Sequence, residues 1–409
     1  MTAQTTKLKK QKVLIIGAGF AGIKTALELA EDAGRFDITV LSDQTDFRYY
    51  PSLYRTATGG NVAGSIIPLK SLFDDSKITL LHGEATTLDR KTRTIGLQDG
   101  QTVQYDALVI GLGVVTNYFG IPGMQELSYS IKSPTEIKRF KEHLHKQIED
   151  DRAPDLNYVI VGAGPTGIEL SGALPEYLKQ IMANHGIKHK AAHIDLIEAA
   201  PRLLPRMPKD TSLMVAKRLR KIGVKLYTGK VVEALAADQL SVSGKPIRSH
   251  TVIWTAGVSN HPFFKNNGFA MTPRGKVSTD MYLQAEDNIY VVGDNANTPY
   301  SGMAQTALHD GIYVAGNLKR KADGKDPKSY KIKKPITVIP VGEQWAAVVW
   351  GKIRLYGRLG WVLREFADLI AFADYLPWWK AGRQWLTSFE AEEACTVCRH
   401  AQRQAMTDK

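Results

Sequence analysis

The apolar positions of this chain come in short unbroken runs, and their order repeats. Residues 13–16 (VLII) form one such run, followed by a glycine-rich turn, a helical stretch over 22–30 and a second run at 38–41. Short runs without polar alternation are expected of strands buried on both faces of a parallel sheet. The same succession returns with a strand at 158–161, a glycine turn, a helix over 168–183 and a strand at 193–197. Apolar runs within 105–113, 251–257 and 286–297 predict further buried strands beside glycines. Residues 78–82 and 94–98, turning at Asp99-Gly100, read as strands of a small antiparallel insertion. Strands are also expected at 224–227, 231–235 and 239–242, and a helix at 134–149.

Beyond Lys319 the pattern changes. Eight Lys and Arg between Lys319 and Lys334 face only Asp323 and Asp326. Leu359, Val362, Leu363, Phe366, Leu369, Ile370 and Ala373 then recur at helical spacing, and Pro377 ends the stripe. Trp378, Gly382, Trp385 and Phe389 form a second stripe, flanked by Lys380 and Arg383. Two helices packed on a core would give this pattern, and so would two helices lying in a membrane interface. Tryptophans beside basic residues favour the interface.

Composition narrows the choice. The 409 residues suffice for two or three domains, and the formal net charge of +12 points to an anionic partner: nucleic acid, a membrane surface or nucleotide substrates. No apolar run approaches the ~18 residues of a membrane span. The start, MTAQTTKLKKQK, lacks the apolar core of a signal peptide, so a cytosolic start is expected. The only cysteines, Cys395 and Cys398, exclude a disulfide framework, and with His400 they fall short of four zinc ligands. No metal site is expected. Residues 47–58, just past the first turn, contain no redox cysteine pair.

The turns carry the chemistry. Gly17, Gly19 and Gly22 (GAGFAG, with Phe20 and Ala21) give G-x-G-x-x-G between strand and helix. The first glycine permits the tight turn, the second lets a pyrophosphate approach, and the third lets helix pack on strand. The free N–H groups of the helix face that pyrophosphate. Asp43, at the end of the second strand, is placed for the ribose. Gly162, Gly164, Pro165, Thr166 and Gly167 repeat the turn, and Glu198 repeats the acid. Two dinucleotide sites in one chain imply two nucleotides, most economically a flavin and a nicotinamide, and hence electron transfer. The fold class expected is α/β. Two Rossmann-like dinucleotide-binding domains (12–120 with 255–330, and 121–254) would be followed by an amphipathic helical membrane-association segment (331–409). Residues 46–54, rich in aromatics, either pack under the sheet or wall a flavin pocket. Gly113 permits close ligand approach, and Asp294, after Gly293, can accept hydrogen bonds from ribityl hydroxyls.

The stretches GAGFAG, YYPSLYRTATGG, LVIGLGVVTNYFGIPG, VGAGPTGIELSGAL, IEAAPRLLP, WTAGV, VVGDNAN and MAQTALHDG together resemble the type II, non-proton-pumping NADH:quinone oxidoreductases. The resemblance spans residues 13–316. It implies FAD on Gly17–Gly22, Asp43, Gly113, Gly293, Asp294, Ala304 and Gln305, and NADH on the second turn, Glu198 and Gly257. It implies that Glu169 lies close to nicotinamide and flavin. It places quinone near Tyr50, Gln305 and His309. At Tyr50 the family usually has Gln, and at His309 usually Gln or Glu. It further implies peripheral attachment to an anionic surface at the cytoplasmic face of the membrane, a homodimer, and no nucleic acid as partner. A reductase for a small iron–sulfur protein, or an NADH-sensing flavoprotein of the apoptosis-inducing-factor kind, would share the fold.

Overall fold

The structure, a computed structural model, describes residues 9–74, 76–151, 153–187 and 191–392. Cys395, Cys398 and His400 lie outside them. The first sheet has six strands in the order Gln284–Glu286, Ile289–Val291, Ala107–Ile110, Gln11–Ile16, Phe36–Ser42 and Ile78–His82. Five run parallel, with Val13 opposite both Ile38 and Ala107; only Gln284–Glu286 pairs antiparallel. The run Val13, Leu14, Ile15 and Ile16 is buried throughout, as a strand covered on both faces must be. The helices Phe20–Ala30 and Ala304–Ala322 lie together on one face. Gly311 fits between them, since a Cβ there would stand 2.6 Å from the Ala21 carbonyl oxygen.

The second sheet is wholly parallel, ordered Val224–Thr228, Ile194–Glu198, Tyr158–Val161 and Thr251–Trp254. Val114–Thr116 and Val258–Asn260 pair antiparallel where the chain passes between the two sheets. The mixed α/β architecture with two Rossmann-like parallel sheets is therefore present.

Local boundaries differ from the sequence pattern in instructive ways. Ile78–His82 is no part of an insertion: it is the parallel edge strand of the first sheet. The antiparallel insertion consists instead of Ala85–Asp89, Thr94–Leu97 and Thr102–Gln104. The mixed polar and apolar residues of 78–82 fit either place, because an edge strand is half-buried like a hairpin strand. The run at 286–297 yields only Ile289–Val291 as parallel strand, because Gly293 takes φ +66° and turns the chain. The C-terminal segment is not purely helical. It opens with a three-stranded antiparallel sheet, Thr337–Pro340, Ala346–Trp350 and Ile353–Gly357. The helices Arg358–Ala373 and Trp378–Thr387 follow. Gly360 seats the first of these on the sheet, its Cβ position lying 2.4 Å from the Ala346 carbonyl oxygen.

That helix is inverted relative to an ordinary amphipathic helix. Leu359, Val362, Leu363, Phe366 and Ile370 are exposed, Ile370 at 66%. Arg364, Glu365 and Asp368 are buried, Arg364 at 3% and Asp368 at 0%. In the next helix Trp378 (79%), Trp379 and Leu386 are exposed. Trp385 is a correction to the second stripe. It turns inward, and its indole N–H donates to the Glu365 carbonyl at 2.8 Å. No helix among the described residues is long and apolar enough to cross a membrane.

Candidate functional site

Each glycine of the two turns does a separable task. Gly17 (φ +100°) and Gly162 (φ +105°) hold backbone geometry that an L side chain rarely adopts. A Cβ on Gly22 would sit 1.9 Å from the Gly17 carbonyl oxygen, and one on Gly167 1.9 Å from that of Gly162. These third glycines let helix close on strand. Around the second glycines there is space: nothing lies within 4 Å of a Cβ on Gly164, and only the Gly111 carbonyl oxygen reaches 4.0 Å at Gly19. Gly19 and Gly164 are also the caps of helices Phe20–Ala30 and Pro165–Asn184, with no side-chain hydrogen bond to their first turns. An open glycine before unspent helix N–H groups is the chemistry a pyrophosphate requires, so both turns fit a dinucleotide.

The first turn is enclosed by distant segments. Gly111 packs on Gly17, and the Asn295 side chain clamps Gly113, accepting its N–H at 2.8 Å and donating to its carbonyl at 2.6 Å. Asp294 accepts the Gly302 N–H at 3.0 Å. Burial raises its carboxyl above the usual range, against the pull of Lys276 and Arg206. Asp43 is exposed and accepts from the Gln44 amide at 2.8 Å. At the second turn Glu198 reaches back. It accepts the Ala163 N–H and the Ala200 N–H, each at 2.8 Å. Gly257 is close to Asn117 and Phe119, where a Cβ would stand 2.1 Å from the Asn117 carbonyl oxygen.

Glu169, one turn into the second-turn helix, is buried at 8% exposure. Desolvation pushes its carboxyl up to about 8; Arg364 and Arg55 pull it down and Asp368 pushes it up. Arg364 and Asp368 were not singled out from the sequence, where they fall on the face opposite the apolar stripe. Tyr49 hydroxyl donates to Asp368 Oδ1 at 2.6 Å, and Arg364 donates to the Pro51 carbonyl at 2.8 Å as well as pairing with Asp368. Arg55 pairs with Glu365. Of the two roles the sequence allowed this loop, packing under the sheet is the one seen. Phe47 and Tyr49 pack in the core, while Tyr50 is half exposed.

Two of the three predicted acceptor residues, Gln305 and His309, fall on the helix Ala304–Ala322, while Tyr50 lies in the separate turn Tyr50–Ser52. Gln305 is exposed, and its Oε1 accepts the Ile336 N–H at 2.9 Å. His309 Nε2 lies 2.9 Å from the Lys331 carbonyl, which makes that nitrogen a donor, and its ring rests against Tyr330. Next to it Asp310, also absent from the sequence reading, is fully buried. It accepts the Gly293 N–H at 3.0 Å and the Tyr330 hydroxyl at 2.6 Å. Burial pushes it up to about 7 despite both bonds. A lone acid inside a helix gives no sequence signal for this.

Comparison with known proteins agrees with this geometry. The profile of the pyridine nucleotide-disulphide oxidoreductases matches residues 11–311. The type II NADH:quinone oxidoreductase of Staphylococcus epidermidis (strain ATCC 12228 / FDA PCI 1200) is 26% identical over 385 residues, covering 88% of this chain and 94% of that one. That of Staphylococcus aureus (strain NCTC 8325 / PS 47) is 27% identical over 367 residues, covering 84% and 90%. Among solved structures, NDH2 from Plasmodium falciparum in complex with NADH superposes with a TM-score of 0.80 at 16% identity, covering 93% of this chain and 98% of that one. The sulfide:quinone oxidoreductase of Aquifex aeolicus gives 0.77 at 19% identity, covering 91% and 92%. At such identities the structures share the fold. The chain belongs to the pyridine nucleotide-disulphide oxidoreductase family.

Proposed function

We propose that this chain is an NADH:quinone oxidoreductase of the type II, non-proton-pumping kind, using FAD. The observation that carries this is the joining of two dinucleotide turns to an inverted C-terminal helix, apolar outward and charged toward the site. FAD, held on Gly17–Gly22 with Asp43, Gly113, Gly293, Asp294, Ala304 and Gln305, supplies hydride acceptance and two-electron transfer when bound. NADH occupies the second turn, with Gly257 nearby. Glu198 favours a free ribose 2′-hydroxyl over a 2′-phosphate, by charge repulsion.

In this reading Tyr50, Gln305 and His309 form the acceptor wall. Because His309 Nε2 is engaged by the Lys331 carbonyl, His309 braces that wall, and Glu169 is the group that carries a proton at neutral pH. Attachment is peripheral, at the cytoplasmic face. The exposed Leu359, Phe366, Ile370, Trp378 and Trp379 enter the interface, and the basic residues of 319–334 add a salt-sensitive part of about 1 kcal/mol each at most. Association as a homodimer belongs to the same proposal and rests on family resemblance.

Stopped-flow measurement of the two half-reactions tests it. NADH should bleach a yellow protein, and a short-chain quinone should restore the colour. Reoxidation by a small iron–sulfur protein but not by quinone would transfer the reading to that class. Binding to anionic vesicles should survive high salt in part, and F366S/I370S should remove the resistant part. Full salt-resistant binding by that variant would refute the helix assignment.

A further inference from the structure

The first residue of the helix after the first glycine turn is aromatic, and part of its packing comes from the far end of the chain. Phe20 follows Gly19 and opens helix Phe20–Ala30. Its ring meets Phe47 edge-on at 5.0 Å between centroids, Tyr49 at 5.9 Å and Tyr375 at 5.9 Å. Tyr375 also lies 5.1 Å from Phe47, and Phe372 lies 4.7 Å from Tyr49. Tilted and edge-on rings at such separations are the favoured geometry of aromatic pairs. Phe372 sits in the last turn of Arg358–Ala373, and Tyr375 in the short link to Trp378–Thr387. Both are buried, at 1% and 4% exposure. Two polar contacts join the same surfaces. The Lys24 ammonium donates to the Asp374 carbonyl at 3.2 Å, and the Tyr375 hydroxyl to the Phe20 carbonyl at 3.4 Å.

We propose that Tyr375, with Phe372 behind Tyr49, is a positioning residue for the flavin: it fixes Phe20, and with it the helix N–H groups that face the pyrophosphate. This rests on the placement of FAD on Gly17–Gly22. The N–H groups of Phe20, Ala21 and Gly22 belong to that first turn, and no side chain caps it. Their aim depends on how the helix start is seated on its strand. Gly22 seats it by backbone, its Cβ position lying 1.9 Å from the Gly17 carbonyl oxygen. The aromatic cluster seats it through the Phe20 ring. Phe47 and Tyr49 come from the loop that follows the second strand, whereas Tyr375 is carried by the two C-terminal helices. Flavin retention and the docking of those helices are therefore one coupled equilibrium. By reciprocity, flavin on the turn holds the helices down as strongly as they hold the flavin. Loss of flavin loosens the segment that carries Leu359, Phe366, Ile370, Trp378 and Trp379.

The test uses the full-length, flavin-loaded protein, with flavin release followed by the fluorescence that free flavin regains after dilution. Y375A should release flavin roughly five- to tenfold faster. Y375F, which keeps the ring, should stay near the wild-type rate. F20L removes the other ring of the pair, should speed release in the same way, and serves should Y375A fail to fold. V348A, buried in the C-terminal sheet beside Gly360, lowers stability without removing a ring and should leave release unchanged. Hydrogen exchange reads the converse. Amides of residues 370–380 should exchange more slowly with flavin bound than after flavin is stripped, and Y375A should lose that dependence. Release unchanged in Y375A and F20L, release quickened as much by V348A, or exchange indifferent to flavin overturns the proposal. Flavin kept in full by G22A would refute the placement of FAD on this turn, so the two failures are distinguishable.

Discussion

The two glycine turns share a sequence pattern and nearly the same backbone, yet they are built into the molecule differently. The first is closed in by chain from far away: Gly111 over Gly17, Asn295 on Gly113, and Gly311 of the Ala304–Ala322 helix against Ala21. The second is closed by fewer distant segments: Thr255 donates to the Val161 and Gly162 carbonyls, Ala256 lies against Gly162, and Glu198 bonds the Ala163 and Ala200 N–H groups. A nucleotide seated in an enclosure of four segments is retained, because release requires several of them to part. A nucleotide on a turn closed by fewer segments can exchange in every cycle. The difference matches a resident flavin and a passing nicotinamide.

The largest expected effect breaks this comparison directly. G22A and G167A place the same methyl group 1.9 Å from the same kind of carbonyl oxygen. Overpacking of this sort costs about 1–3 kcal/mol or more. G22A should give protein that no longer retains flavin, read from the visible spectrum. G167A should keep its flavin and lose NADH reduction at ordinary NADH concentrations, read by stopped flow. Flavin loss in both would show the turns to be energetically joined and end the distinction.

Glu198 sharpens it. E198A removes the acceptor of two turn N–H groups, each charge-assisted bond contributing about 1.5–3 kcal/mol. The KM for NADH should rise on the order of tenfold or more, NADPH should compete better, and flavin content should stay unchanged. N295A makes the matching cut at the first turn. It should speed flavin release about fivefold, for about 1 kcal/mol lost, with KM for NADH near the wild-type value.

A last effect, on stability rather than on binding, concerns Asp310, beneath the first turn. Its folded value, near 7, lies above the ordinary carboxylate value. The folded state therefore binds this proton more tightly, and stability from it is full at low pH and lost as pH rises toward 7. D310N should flatten the decline of apoprotein stability between about pH 4 and 7 by up to about 1.4 kcal/mol per pH unit. A slope unchanged from wild type would show that Asp310 does not titrate there.

The sequence by itself determined the parts whose physics is local. The continuous apolar runs gave Val13–Ile16 and Tyr158–Val161 as buried parallel strands, since only strands covered on both faces lack polar alternation. The glycine spacing gave both turns, because φ near +100° and a 1.9 Å approach admit no side chain. The apolar stripe gave the C-terminal helix. Tertiary structure decided what each polar residue does. Helical periodicity separates two faces but does not say which one meets protein, so only the fold showed Asp368 against Tyr49, Arg364 against Asp368 and the Pro51 carbonyl, and Glu365 against Arg55. Spacing likewise put Gln305 and His309 on one face, and only the return of residues 331–336 showed their polar atoms meeting backbone. Asp310 became a buried acid through Gly293 and Tyr330, which are 17 and 20 residues distant. Charge and burial are properties of the assembled neighbourhood, and pairings between distant segments are set by the packing of the whole chain.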